Sequence, residues 1–133
     1  MKSESLRNSI RTRAGDRCEY CQLRQAFCEV THHVEHIVAR QHIVAGDLDN
    51  LALACHYCNR KKGPNLAGID PLTGEITVLF HPRRDHWHDH FRWNGPCIEG
   101  ISRIGRTTVN VLSMNDEKRM RLRLQLQADG ILY

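Results

Sequence analysis

The chain has 133 residues, enough for one domain with a modest core and too few for two. Apolar residues make up 41% and aromatic ones 6%, a composition that small folds usually supplement with a structural metal or disulfides. The formal charge of +4 favours a polyanionic partner, and no apolar run approaches the roughly 20 residues that a helical membrane span needs, which excludes one.

Taken in chain order, Met1 to Arg7 lacks the apolar stretch of a signal peptide, so a cytoplasmic protein with reduced thiols is expected. Leu6, Ile10 and Ala14 recur at four-residue spacing among Arg7, Arg11 and Arg13, which predicts a short amphipathic helix over residues 3 to 14, ended by Gly15-Asp16. Cys18-Glu19-Tyr20-Cys21 reads as a tight metal-binding turn. The β-branched stretch from Cys28 to Val38 predicts a strand ending near His36. Residues 40 to 49 form a connecting loop turning at Gly46-Asp47, and Leu51 to Ala54 is the returning strand. His56 to Lys62 is a short helix stopped by Gly63-Pro64. Beyond it come a turn at Asp70 to Glu75, a strand from Ile76 to Phe80, and an irregular histidine- and arginine-rich segment from His81 to Trp93. Ile98 to Ser102 and Arg106 to Leu112 suggest a hairpin across Ile104-Gly105. In the tail, Met120, Leu122, Leu124 and Leu126 alternate as in a strand, but Asn115-Asp116 resembles an N-cap and Gly130 a C-cap, so a helix is favoured.

Cys18/Cys21 and Cys55/Cys58 are two C-x2-C pairs. Two thiolates spaced by two residues grip an ion from one turn, and two such turns complete a tetrahedral zinc site. Four inert buried thiols are the alternative, but Asp16, Arg17, Glu19, Gln22, His56, Asn59 and Arg60 make the surroundings polar. Cys28 and Cys97 fall outside the pairs and read as small apolar fillers. The 33 residues between the pairs exceed the usual zinc-ribbon spacer, and they hold Glu35, His36 and Asn50.

Hydrolysis of a phosphodiester requires a base for water, an in-line geometry and neutralisation of developing charge. An imidazole titrates near neutrality, so His36 is a candidate base. Glu35 offers a carboxylate oxygen and Asn59 an amide oxygen, and two hard oxygen donors suit Mg2+ or Mn2+ better than zinc. Singly, each has a plainer reading: a solvated Glu-His pair, a helix cap, or a turn cap at Asp49-Asn50. Neighbours on a regular strand point to opposite faces, so for Glu35 and His36 to reach one phosphate the pleat must break at the strand end, just before the loop.

The sequence Cys18-x2-Cys21, His33-Val34-Glu35-His36-Ile37-Val38, Asp49-Asn50-Leu51-Ala52-Leu53-Ala54-Cys55-x2-Cys58-Asn59-x2-Lys62-Gly63 resembles the HNH endonuclease family, over roughly residues 15 to 65. The resemblance implies a ββα-metal fold. It casts His36 as general base and Glu35 as the acidic metal ligand, most often aspartate in relatives. It casts Asn50 as the middle asparagine that ties the loop and aims the base. It casts Asn59 as the last motif position, with His33 near metal or phosphate. Products would carry a 5′-phosphate and a 3′-hydroxyl.

Arg60, Lys61 and Lys62 follow the second thiolate pair and are candidates for nucleic-acid contact, Lys62 foremost because relatives often have a basic residue there. Arg7, Arg11, Arg13, Arg17, Arg83, Arg84, Arg103 and Arg106 add positive charge. Such contacts give affinity without reading sequence. His86, His88 and His90 alternate around Trp87, as a polar loop packed by aromatics or as a further metal site. The expected protein is α+β, a single domain over residues 1–133 with a ββα core at about 15–65, a four-cysteine zinc clamp, an N-terminal helix and a β/α extension at about 66–133. It would be a monomeric or homodimeric HNH endonuclease acting on nucleic acid, most readily DNA. The rival from another class is a non-catalytic zinc module that binds nucleic acid, which has no need of Glu35, His36 and Asn59; a zinc-stabilised protein-interaction module leaves the basic groups unexplained.

Overall fold

A computed structural model describes residues 4–39 and 48–131. Its contacts divide into two compact units, Met1–Leu66 with His81–Asp85, and Ala67–Phe80 with His86–Tyr133. The first contains the expected strand–strand–helix order and the second the extension, so the fold is α+β with small antiparallel sheets.

In the first unit, α1 (Glu4–Ala14) buries Ile10 against Leu51 and Leu53, with Leu6, Ala14 and Val34 around them. The four-residue spacing seen in the sequence is thus a core stripe. Gly15 and Asp16 both adopt positive φ and end the helix where expected. The first strand, β1 (His33–His36), is shorter than the β-branched stretch suggested, because residues 28 to 32 follow a 3₁₀ turn at Gln25–Phe27 and are held by Gln25, whose side chain bonds Cys28, Val30 and His32. It pairs antiparallel with β2 (Leu51–Ala54) in the register His33↔Ala54 to His36↔Leu51. The Gly46-Asp47 turn lies outside the described residues. Next, α2 (His56–Lys62) starts at Cys55 as N-cap and stops at Gly63, whose φ of 52° suits glycine. Arg13 donates to the carbonyls of Leu48 and Leu51, at 2.9 and 2.6 Å, and so seats α1 on β2.

The second unit is built from β3 (Ala67–Ile69), β4 (Ile76–Val78), α3 (Trp87–His90), β5 (Phe91–Asn94), β6 (Cys97–Gly100), α4 (Arg103–Val111) and α5 (Glu117–Ala128). Here the sequence expectation needs correction. The hairpin across Ile104-Gly105 does not form; the hairpin is β5–β6, and residues 103 to 111 are helical. Thr107, Thr108, Val109 and Val111 imitate a strand, but β-branching lowers helix propensity only slightly. Ser102 caps the helix by accepting from the Gly105 N–H at 2.9 Å. Packing then decides: Gly105 lies so close to α3 that a Cβ would stand 1.9 Å from the His90 carbonyl oxygen. In the tail, the caps prevailed over the alternation, as expected. Asp116 caps α5, and Arg119 and Arg123 are buried, donating to the Leu112 and Pro96 carbonyls at 2.7 and 2.8 Å. No helix of the described residues is long and apolar enough to cross a membrane.

Candidate metal centre and hydrolytic site

The first thiolate pair is shaped by backbone bonds within residues 17 to 24. Cys18 N–H donates to the Leu23 carbonyl, Gln22 N–H to the Cys18 carbonyl (both 2.9 Å), and Cys21 N–H points at the Cys18 sulfur at 3.4 Å. The second pair sits at the start of α2, where Cys58 N–H faces the Cys55 sulfur at 3.5 Å. All four sulfurs are buried and lie within 4.8 Å of one another, and those of Cys21 and Cys55 are 3.7 Å apart. Zinc–sulfur bonds of about 2.3 Å in a tetrahedron put sulfurs about 3.8 Å apart, so the set fits zinc. Burial pushes the Cys18 and Cys58 thiols well up. A bound cation reverses this by favouring the thiolates. Cys28 and Cys97 stand apart as half-buried thiols, Cys28 3.8 Å from the His56 ring nitrogen.

Glu35, His36 and Asn59 line one open cavity of about 380 Å³, together with Val34, Ala39, Gly63 and Pro64. Val34, Glu35 and His36 are consecutive residues of β1. β1 ends at His36, the point at which the sequence reading expects the pleat to stop. The other wall of the cavity is the last part of α2 and the turn at Gly63.

The loop after His36 is held from outside. Asn50 accepts from the Val38 N–H and donates to the Val38 carbonyl, both at 2.9 Å, while the Asn50 carbonyl receives the Ile37 N–H at 2.8 Å.

Glu35 is 8% exposed. One oxygen accepts from the Tyr20 hydroxyl, and the other lies 3.5 Å from the Lys62 ammonium. Carboxylate oxygens have two lone pairs each, so these neighbours leave capacity for a cation. Burial pushes the Glu35 carboxyl up, while Lys62 and the Tyr20 hydrogen bond pull it back. Burial, and then the Glu35 charge, push the Tyr20 hydroxyl well above its ordinary range.

Several expected contacts lie elsewhere. Lys62 is 2% exposed and turned inwards, unlike the surface phosphate contact that the sequence suggested. Arg60 and Lys61 are exposed on α2, and His33 is exposed at the start of β1; none of the three lines the cavity. Arg83 pairs with Glu19, Arg103 with Glu75 and Arg106 with Asp70. His86, His88 and His90 are not gathered as a metal-binding group among the described residues; His90 bonds the Ser102 hydroxyl at 2.7 Å. Sequence reasoning missed Tyr20 and Glu19. The latter also accepts from the Leu53 N–H at 2.8 Å, tying the thiolate turn to β2. Their signal was present only as two polar residues inside the first C-x2-C pair.

The family model for HNH endonucleases matches residues 18–65. By sequence, this segment is HNH-like. The HNH match covers both thiolate pairs and the whole strand–strand–helix unit, and it supports a nuclease-type function. Septu protein PtuB of Bacillus thuringiensis is 27% identical over 111 residues, 80% of this chain and 40% of that protein. The chain thus spans well under half the length of that curated relative. No solved structure matches significantly.

Proposed function

We propose that the protein is a metal-dependent endonuclease that hydrolyses phosphodiester bonds in nucleic acid, with DNA as the preferred substrate. The supporting observation is that Glu35, His36 and Asn59, drawn from a strand and a helix, line the same open cavity. Glu35 and Asn59 are the oxygen donors that would hold Mg2+ or Mn2+; when bound, that ion supplies neutralisation of charge at the phosphate and the leaving oxygen. His36 takes a proton from the attacking water, its place fixed by the Asn50–Val38 bonds. Arg60 and Lys61, exposed on the same helix as Asn59, meet flanking phosphates. Zinc on Cys18, Cys21, Cys55 and Cys58 takes no part in the chemistry and pins the first knuckle to α2.

The test is plasmid nicking with Mg2+, Mn2+ or EDTA. Wild type nicks with either ion, and His36→Ala retains zinc and fold but loses cleavage. Equal nicking by both proteins removes the proposed base.

A further inference from the structure

Of Arg60, Lys61 and Lys62, only Lys62 is buried, with 2% of its surface exposed. A buried ammonium needs compensating oxygens, and an ammonium has three N–H donors. Lys62 faces three oxygens from three consecutive residues: the Ile37 carbonyl at 2.8 Å, the His36 carbonyl at 3.4 Å and the Glu35 carboxylate at 3.5 Å. Asn50 holds the next residue, Val38, by its N–H and carbonyl. Residues 35 to 38 are therefore each gripped by a side chain from another element. Lys62 is three residues after Asn59 in α2, one turn along the same side of the helix. It thereby links the helix bearing one proposed ligand to the strand bearing the other ligand and the base.

We propose that Lys62 is a positioning residue of the hydrolytic site, holding Glu35 and the backbone of His36 in register with Asn59, and that it does not contact substrate phosphate. This rests on the endonuclease reading for its catalytic consequence, but not for its effect on metal binding. Two effects of Lys62 oppose each other. Its charge beside Glu35 makes a divalent cation harder to bind, while its bonds keep the base where a bound cation is useful. Removing it should therefore tighten metal binding and slow cleavage, a combination that neither loss of a ligand nor loss of a phosphate contact produces.

The experiment uses the zinc-loaded full chain as wild type, Lys62→Met, Lys62→Arg and Glu35→Gln. Three properties are read: Mn2+ affinity from the resonance of free Mn2+, nicking rate at saturating Mn2+, and binding to duplex DNA across a salt series without added divalent ion. Lys62→Met should bind Mn2+ about threefold or more tightly. It should nick about 100-fold more slowly, as a displacement of about 1 Å does, and bind DNA as wild type does. Lys62→Arg should recover part of the rate, and Glu35→Gln should bind Mn2+ more weakly. A weaker DNA complex with a salt slope shallower by about one would make Lys62 a phosphate contact and overturn the proposal. So would an unchanged nicking rate. If wild type does not nick at all, the endonuclease reading fails, and the Mn2+ shift alone judges Lys62: no tightening overturns its role. If Lys62→Met does not retain zinc, Lys62→Gln replaces it and is judged by the same readouts.

Discussion

Replacing Asn50 separates the stability of the site from its aim. The side chain makes two bonds to one residue, accepting from the Val38 N–H and donating to the Val38 carbonyl, both at 2.9 Å and half-buried. At about 1 kcal/mol for each such bond, Asn50→Ala should lower unfolding free energy by about 2 kcal/mol. The kinetic effect has another origin. Val38 is two residues beyond His36, and freeing it lets the end of β1 drift. A drift of about 1 Å at the base costs on the order of 100-fold in rate, or about 2.7 kcal/mol of transition-state stabilisation. Asn50→Asp sharpens the test, because it keeps the acceptor for the Val38 N–H but sets a second oxygen against the Val38 carbonyl. It should cleave no better than Asn50→Ala. Urea unfolding followed by circular dichroism gives the first quantity and nicking at saturating Mg2+ the second. If Asn50→Ala loses the expected stability yet nicks within about threefold of wild type, the Val38 clamp does not aim His36.

Cys55→Ser should lose zinc and unfold the first unit. Structural zinc contributes about 10–16 kcal/mol of apparent binding energy, as much as a whole domain's stability, and metal analysis with circular dichroism reads both losses. Retained zinc with a native spectrum would contradict the four-thiolate site. Acid should weaken the second unit through Asp70, which is buried and accepts from Nε and Nη2 of Arg106 at 3.0 and 2.9 Å. Arg106, followed by the Leu72 N–H and the Thr73 hydroxyl, holds its carboxyl well below the usual carboxylate range against the cost of burial. Because the folded value lies below the unfolded one of about 3.9, the stabilisation is complete above that pH and is lost as pH falls below it. Trp87 and Trp93 both lie in this unit, so tryptophan fluorescence in urea at pH 7 and pH 3 follows it selectively. Asp70→Asn should flatten the pH dependence, and an unchanged dependence would disprove the assignment.

The strand–strand–helix unit was legible because local and long-range signals agree there. Leu6, Ile10 and Ala14 supply a helical stripe that Leu51, Leu53 and Val34 complete. Cysteine spacing locates the two turns, and Gly63 marks the end of α2. The extension was less legible because its helix α4 opposes its own composition. Thr107 and Thr108 are buried, and Thr108 both donates to the Ile104 carbonyl and accepts from the Phe80 N–H, a tertiary bond that no periodicity reveals. At the site, residue identity singled out Glu35, His36 and Asn59, which line one cavity, but gave nothing on the direction of Lys62. A lysine after two exposed basic residues reads as more of the same surface. Its burial depends on the phase of a seven-residue helix against the end of β1 and Ile37 just beyond it, which the sequence does not encode locally.

The same accounting changes what the net charge means. The +4 balance suggests a broad basic face, but much of the arginine is committed internally. Arg13, Arg119 and Arg123 donate to backbone carbonyls, and Arg83 and Arg106 lie against Glu19 and Asp70. Of these, Arg119 and Arg123 are buried. Among the described residues, Arg60 and Lys61 are exposed on the helix that carries Asn59. On the endonuclease reading, contacts made by exposed cations such as these hold the phosphate backbone without reading sequence, and binding should weaken as salt rises.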